Sequence, residues 1–118
     1  MNTTVFILND PPYGTERNFN ALRMARALAD REGEQVHVFL IGDAVSCAKA
    51  GQEVPSGFYN LGTMIRRVAR CGGNVGVCGT CLDARGIDDD KLVDGCHRSS
   101  TVGELVDWKR EADDVLVF

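Results

Sequence analysis

Val5, Phe6, Ile7 and Leu8 form an unbroken apolar run, closed by the turn-rich segment "NDPPYG". A strand with one face in water alternates apolar and polar residues; a strand covered on both faces has no polar row and reads as a continuous run. The run therefore asks for layers on both sides of a sheet. "VHVFLIG", Val36 to Gly42, repeats the pattern, and "NVGVCG" is a shorter, glycine-rich third case. "CHRSS" reads as an extended piece and "DVLVF" as a closing strand. Between them lie helical patterns. Glu16 to Arg31 carries Phe19, Leu22, Ala25, Leu28 and Ala29 on one side and ends at Gly33. Asp43 is placed to cap a short helix running through Ala50. Leu61, Met64, Ile65, Val68 and Ala69 recur at helical spacing and stop at Gly72-Gly73. "IDDDKLVDG" supplies one or two helical turns, and Thr101 with Glu104 forms a capping box for a last helix to about Glu111. Alternating strands and helices predict an α/β fold: a single-domain, three-layer α/β/α sandwich on a mostly parallel five-stranded sheet, spanning residues 1–118.

The bulk properties narrow the function classes. A chain of 118 residues fits one domain that needs no staples. A formal net charge of −4 disfavours nucleic-acid binding, and the basic cluster Arg66, Arg67 and Arg70 reads as a solvated helix face. The start "MNTTVFILND" lacks the basic region of a signal peptide, and no apolar stretch is long enough to span a bilayer. The expected location is the cytoplasm, with no membrane partner and no cofactor. The sequon at Asn2 is then accidental.

Five cysteines cannot all be paired within one chain. In a reducing compartment, closely spaced cysteines tend to be catalytic or metal-binding. The pair Cys78 and Cys81, in "VCGTCLDARGI", follows the third strand, and loops beyond the carboxyl ends of strands are where sites form in such sheets. Four readings stand open. The cysteines are buried small residues, as expected for Cys47 and Cys71. They are a C-x-x-C dithiol, although no proline sits where a thioredoxin fold needs its cis-proline. They hold a structural zinc at Cys78, Cys81 and Cys96, a set weakened by the adjacency of Cys96 and His97. Or they transfer sulfur. Placement of Cys78 at a helix start predicts a lowered thiol pKa and a candidate nucleophile. The loop "NDPPYGTER" is a second candidate site element, meeting the cysteine loop if the first and third strands are neighbours.

Four segments in order carry a resemblance across the whole chain. "ILNDPPYGTERNFNALRMARAL", "VHVFLIGDAV", "VCGTCLDARGI" and "STVGELVDWKREADDVLVF" resemble the strands, Tyr-Gly loop, cysteine loop with its Arg-Gly ending, and last helix and strand of the DsrE/DsrF-like family, which includes the DsrE, TusD and YchN types of sulfur-relay protein. The resemblance implies that Cys78 accepts sulfane sulfur as a persulfide and passes it to a partner thiol. It implies protein partners, a sulfur donor and a sulfur acceptor, and a homo-oligomer, a trimer or hexamer. The exchange needs an accessible thiolate, an anion-stabilising pocket and a docking surface.

Cys81 departs from the single-cysteine relay subunits. A thiol three residues from Cys78 attacks a persulfide there and releases sulfide, which makes a sulfur reductase or dithiol redox protein the competing reading. Supporting roles are expected for Asn9 and Tyr13 as pocket lining, Thr80 as a helix cap and Cys96 as a third thiol. Arg85 is expected either to steady the persulfide anion or to pair with Asp83 or Asp88, and Gly86 to supply a positive-φ turn.

Overall fold

The computed structural model describes all 118 residues. In chain order it contains β1 (Asn2–Leu8), α1 (Arg17–Ala29), β2 (Glu34–Leu40), a 3-10 segment (Gly42–Ala48), α2 (Leu61–Arg70), β3 (Asn74–Cys78), α3 (Gly79–Ala84), a second 3-10 turn (Asp89–Lys91), β4 (Cys96–Ser99), α4 (Gly103–Glu111) and β5 (Asp114–Val117). Every strand pairing is parallel, and the order across the sheet is β4-β3-β2-β1-β5.

That order dictates the layers. From β1 to β4 the chain steps in one direction, and right-handed crossovers then keep each connection on one face. The step from β4 to β5 runs the other way, so the same handedness sends α4 to the opposite face. The contacts agree. Val93, between β3 and β4, lies beside Gly62 of α2. Trp108 of α4 stacks on His37 at 4.4 Å and meets Phe39 edge-on, and both project from the other side of β2. The predicted three-layer sandwich is therefore the observed one, with two long helices on one face and one on the other.

The apolar runs of β1 and β2 are buried as their pattern requires: Val5, Phe6, Leu8, Val38, Phe39 and Leu40 have no exposed surface. Each such side chain contributes about 1.5–3 kcal/mol by leaving water. On α1 the buried stripe is Asn18, Ala21, Leu22 and Ala25, while Phe19, Leu28 and Ala29 are only half-buried. Asn18 is the polar exception. Its Nδ2 donates to the carbonyls of Asp10 and Pro11 and approaches Cys47 Sγ at 3.3 Å, fastening the loop after β1 to α1. α2 starts at Asn60, whose side chain accepts from the Thr63 N–H.

Two expected caps are absent. The 3-10 segment is capped by Ile41 without a side-chain bond, because the Asp43 carboxylate turns to Arg85 instead. At α4 the capping box does not form: Val102 takes the cap position, Thr101 Oγ1 accepts from the Gly103 N–H in a local turn, and Glu104 turns to His97 Nε2 at 2.6 Å. A carboxylate acceptor fixes that ring nitrogen as the donor.

Trp108 fastens α4, which has no fully buried residue of its own. It requires Gly76 beneath it: a Cβ there would lie 2.9 Å from Glu104 Oε1 and 3.1 Å from the Trp108 ring. Gly76→Ala is expected to cost about 1–3 kcal/mol and to red-shift Trp108 emission, checked by denaturant titration followed by fluorescence. A second expectation concerns pH. Burial pushes the Cys47 thiol up from its ordinary 9.0 to about 12, and Cys96 up to about 11. Between those limits the folded chain keeps protons that the unfolded chain releases, so stability is intact below about pH 9 and falls as pH rises, by up to about 1.4 kcal/mol per unit for each thiol. Denaturant melts of wild type and Cys47→Ala at alkaline pH check this; the variant should show the shallower fall.

Candidate functional site

β3 ends at Cys78, in register with Ser99 at the end of β4. At this boundary the connections diverge, one staying on the α1/α2 face and the other leaving for α4, so the cysteine sits at a topological switch point. Close approach of the two strand ends depends on Gly79, where a Cβ would meet the Ser99 carbonyl at 2.8 Å. Arg98 of β4 locks the turn. Its guanidinium donates to the Gly79 carbonyl at 3.2 Å, to Asp83 at 2.6 Å and to Asp89 at 3.2 Å.

α3 spans only six residues, from Gly79 to Ala84, and Cys78 occupies its cap position. The backbone N–H groups of Cys81 and Thr80 face the Cys78 sulfur and favour its anion. Burial outweighs them, and the neighbouring Cys81 thiol acts in the same direction as burial, so the Cys78 thiol is raised from its ordinary value. The lowered pKa expected from a helix start is thus corrected: the helix is too short to overcome the desolvation of Cys78, a residue only 5% exposed. Both thiols are free, and the Cys81 thiol neighbours that of Cys78.

Cys81 faces the loop after β2. The Gly42 N–H donates to its sulfur at 3.2 Å, and Gly42 holds φ at +60°, a conformation that glycine adopts without cost. Next to it, Asp43 grips Arg85 at 2.7 Å while Arg85 donates to the Cys81 carbonyl at 3.0 Å. The expected partners of Arg85, Asp83 and Asp88, are therefore replaced by Asp43, and Asp83 belongs to Arg98. The pair Arg85–Asp43 is exposed, so its consequence is geometric rather than stabilising. Gly86 has the expected positive φ, +65°.

Other expected site residues lie elsewhere. β2 separates β1 from β3, so the two loops do not meet through neighbouring strands. Asn9 is bound to the Phe118 carbonyl through both its backbone and its side chain, closing β1 against β5. Tyr13 hydrogen-bonds with Gln52 and the Leu61 N–H at the start of α2. Thr80 is exposed and makes no capping bond. Cys96 pairs with Val75 at the opposite end of β4 and donates to the Val93 carbonyl, about 10 Å of strand away from the Cys78–Ser99 level. It is not positioned as a third thiol, and no group of three metal-binding side chains forms around Cys78, Cys81 and Cys96. The residues that sequence reading missed are Gly42, Asp43 and Arg98. The "IGD" that ends the second apolar run was a signal for the first two, since it occupies another strand's carboxyl end.

A groove of about 1060 Å³ lies between α1 and α2, with Phe19 and Tyr59 among its lining residues and no cysteine.

Comparison with known proteins follows the same outline. Over the full length of both chains the sequence is 39% identical to Protein YchN of Escherichia coli strain K12, and it is 37% identical to the Methanopyrus kandleri protein MK0008, covering 95% of this chain and 90% of that one. The crystal structure of the E. coli YchN protein superposes with a TM-score of 0.91 over all of both chains. The structure of MTH1491 from Methanobacterium thermoautotrophicum, 21% identical, shares the fold with a TM-score of 0.82 over all of both chains. The model of the DsrE/DsrF-like family, which is associated with sulfur relay, matches residues 3–118, and the chain belongs to that family.

Proposed function

We propose that this chain carries sulfane sulfur as a persulfide on Cys78, received from a donor protein and handed to a partner's thiol. The observation that supports this most directly is the pair of free, neighbouring thiols at the β3–β4 switch point. Transfer of sulfane sulfur between thiols needs no redox cofactor and no separate acid–base group, because one S–S bond forms as another breaks. A reducing compartment such as the cytoplasm keeps both thiols available. The second reading is a dithiol redox protein or sulfur reductase. It is favoured by the closeness of Cys78 and Cys81, since attack of one thiol on the inner sulfur, Sγ, of the other's persulfide forms the Cys78–Cys81 disulfide and expels the outer sulfur as sulfide.

The partner surface has its own support. A single helix cannot cover five strands, and on the α4 face Val115 and Val117 of β5 remain exposed beside Val102 and Val106 of α4. An exposed apolar patch of this kind fits self-association into a homo-oligomer.

Two expectations test these readings. Incubation with a sulfane-sulfur donor, followed by alkylation and peptide mass mapping, should find added sulfur on Cys78 that a thiol acceptor removes, and Cys78→Ser should abolish transfer to that acceptor. A Cys78–Cys81 disulfide with stoichiometric sulfide would favour the reductase. Val117→Lys is expected to shift the chain toward monomer in size-exclusion chromatography with light scattering; an unchanged mass would remove β5 from the interface.

A further inference from the structure

The two thiols of the pair are not equivalent, and the difference runs against the simplest order of events. Cys78 is 5% exposed, whereas Cys81 is the more accessible of the two. A donor approaching from outside meets Cys81 first. The donors around the two sulfurs differ as well. Those at Cys78 come from its own turn, the N–H groups of Thr80 and Cys81. Cys81 receives the Gly42 N–H, a fixed dipole from a separate element that the Asp43–Arg85 pair ties to α3. A backbone donor already aimed at sulfur holds negative charge there without reorganisation.

We propose that Cys81 is the receiving thiol of the pair: its thiolate takes the sulfane sulfur from the donor and passes it inward to Cys78. The proposal rests on the persulfide-carrier reading and assigns its first step. The Cys81 thiolate attacks the outer sulfur of a donor persulfide, R–S–SH. A bond forms between Cys81 Sγ and that sulfur, the donor's S–S bond breaks, and the donor leaves as a thiolate, RS⁻. The Cys78 sulfur then attacks the outer sulfur of Cys81–S–SH. The new bond is Cys78 S–S, the bond to Cys81 Sγ breaks, and the Cys78 proton passes to the departing Cys81 sulfur. One sulfane sulfur moves in each step, no net oxidation occurs, and no further reactant is consumed. Burial favours this order, because the sulfur ends on the less accessible thiol, where stray reductants reach it less readily.

The test uses the full chain, as wild type, Cys81→Ser and Cys78→Ser, with Cys78→Ala as a second variant should serine disturb the buried position. Each is shown to be folded by circular dichroism. The probe is glutathione persulfide, and the readout is time-resolved peptide mass mapping. Sulfur should appear on Cys81 before Cys78 in wild type. It should accumulate on Cys81 in Cys78→Ser at the wild-type rate, and loading of Cys78 in Cys81→Ser should slow by about tenfold or more. Loading of Cys78 in Cys81→Ser at the wild-type rate overturns the assignment and leaves the carrier reading standing. Conversion of wild type to a Cys78–Cys81 disulfide with released sulfide overturns the inward transfer. Absence of sulfur at both cysteines overturns the carrier reading and this step with it. Alkylation by iodoacetamide before any sulfur is added gives a readout independent of carriage: Cys81 reacting ahead of Cys78 supports the assignment, and the reverse order overturns it.

Discussion

The handedness of the crossover connections governs this molecule. Three connections run in one direction across the sheet and stay on one face; the last reverses and must change face. That reversal separates the chain paths leaving β3 and β4, and the crevice it opens is where Cys78 stands beside Ser99. It also leaves α4 alone on its face, so Trp108 must fasten the helix and part of β5 stays uncovered. The position of the Cys78–Cys81 pair and the exposure of Val115 and Val117 are two consequences of one topological constraint.

The chemistry of the pair reflects a balance between burial and hydrogen bonding. α3 offers Cys78 two N–H groups, but a helix of six residues cannot offset the cost of charging a buried sulfur. Cys81 receives its donor from a different element, the Gly42 N–H of the segment after β2. Arg85 takes part in this arrangement as a tie between loops: Asp43 holds it from one side and the Cys81 carbonyl from the other. Arg98 does the same from β4, gripping Gly79 and Asp83. The dithiol is thus bracketed by two arginines, each joining α3 to a neighbouring strand end.

Membership of the DsrE/DsrF-like family places the chain among proteins associated with sulfur relay, and the full-length agreement with YchN extends to the fold. Within that frame the second cysteine distinguishes a carrier from a reductase by which sulfur is attacked. Attack on the outer sulfur passes it on, and attack on the inner one closes a disulfide. Geometry at a single S–S bond therefore separates the two proposed readings of the site.

The fold was legible because its signals are local. Double-sided burial writes continuous apolar runs at Val5–Leu8 and Val38–Ile41, and helix faces write the spacing of Leu61, Ile65 and Val68. The C-x-x-C spacing likewise announces Cys78 and Cys81 as neighbours, since three residues cannot separate far within one turn. What surrounds them was not legible. Asp43 reads as a cap and acts as the anchor of Arg85; Glu104 reads as half of a capping box and binds His97; Cys96 reads as a third thiol and lies at the far end of its strand. Asn9 and Tyr13 follow a strand end that β2 separates from the cysteines. Each of these depends on which elements are neighbours and in what register, a choice made by tertiary packing, as between Asp43 and Arg85, 42 positions apart. Local pattern therefore determined the elements and the reactive pair, and only the tertiary structure decided which distant groups complete the site.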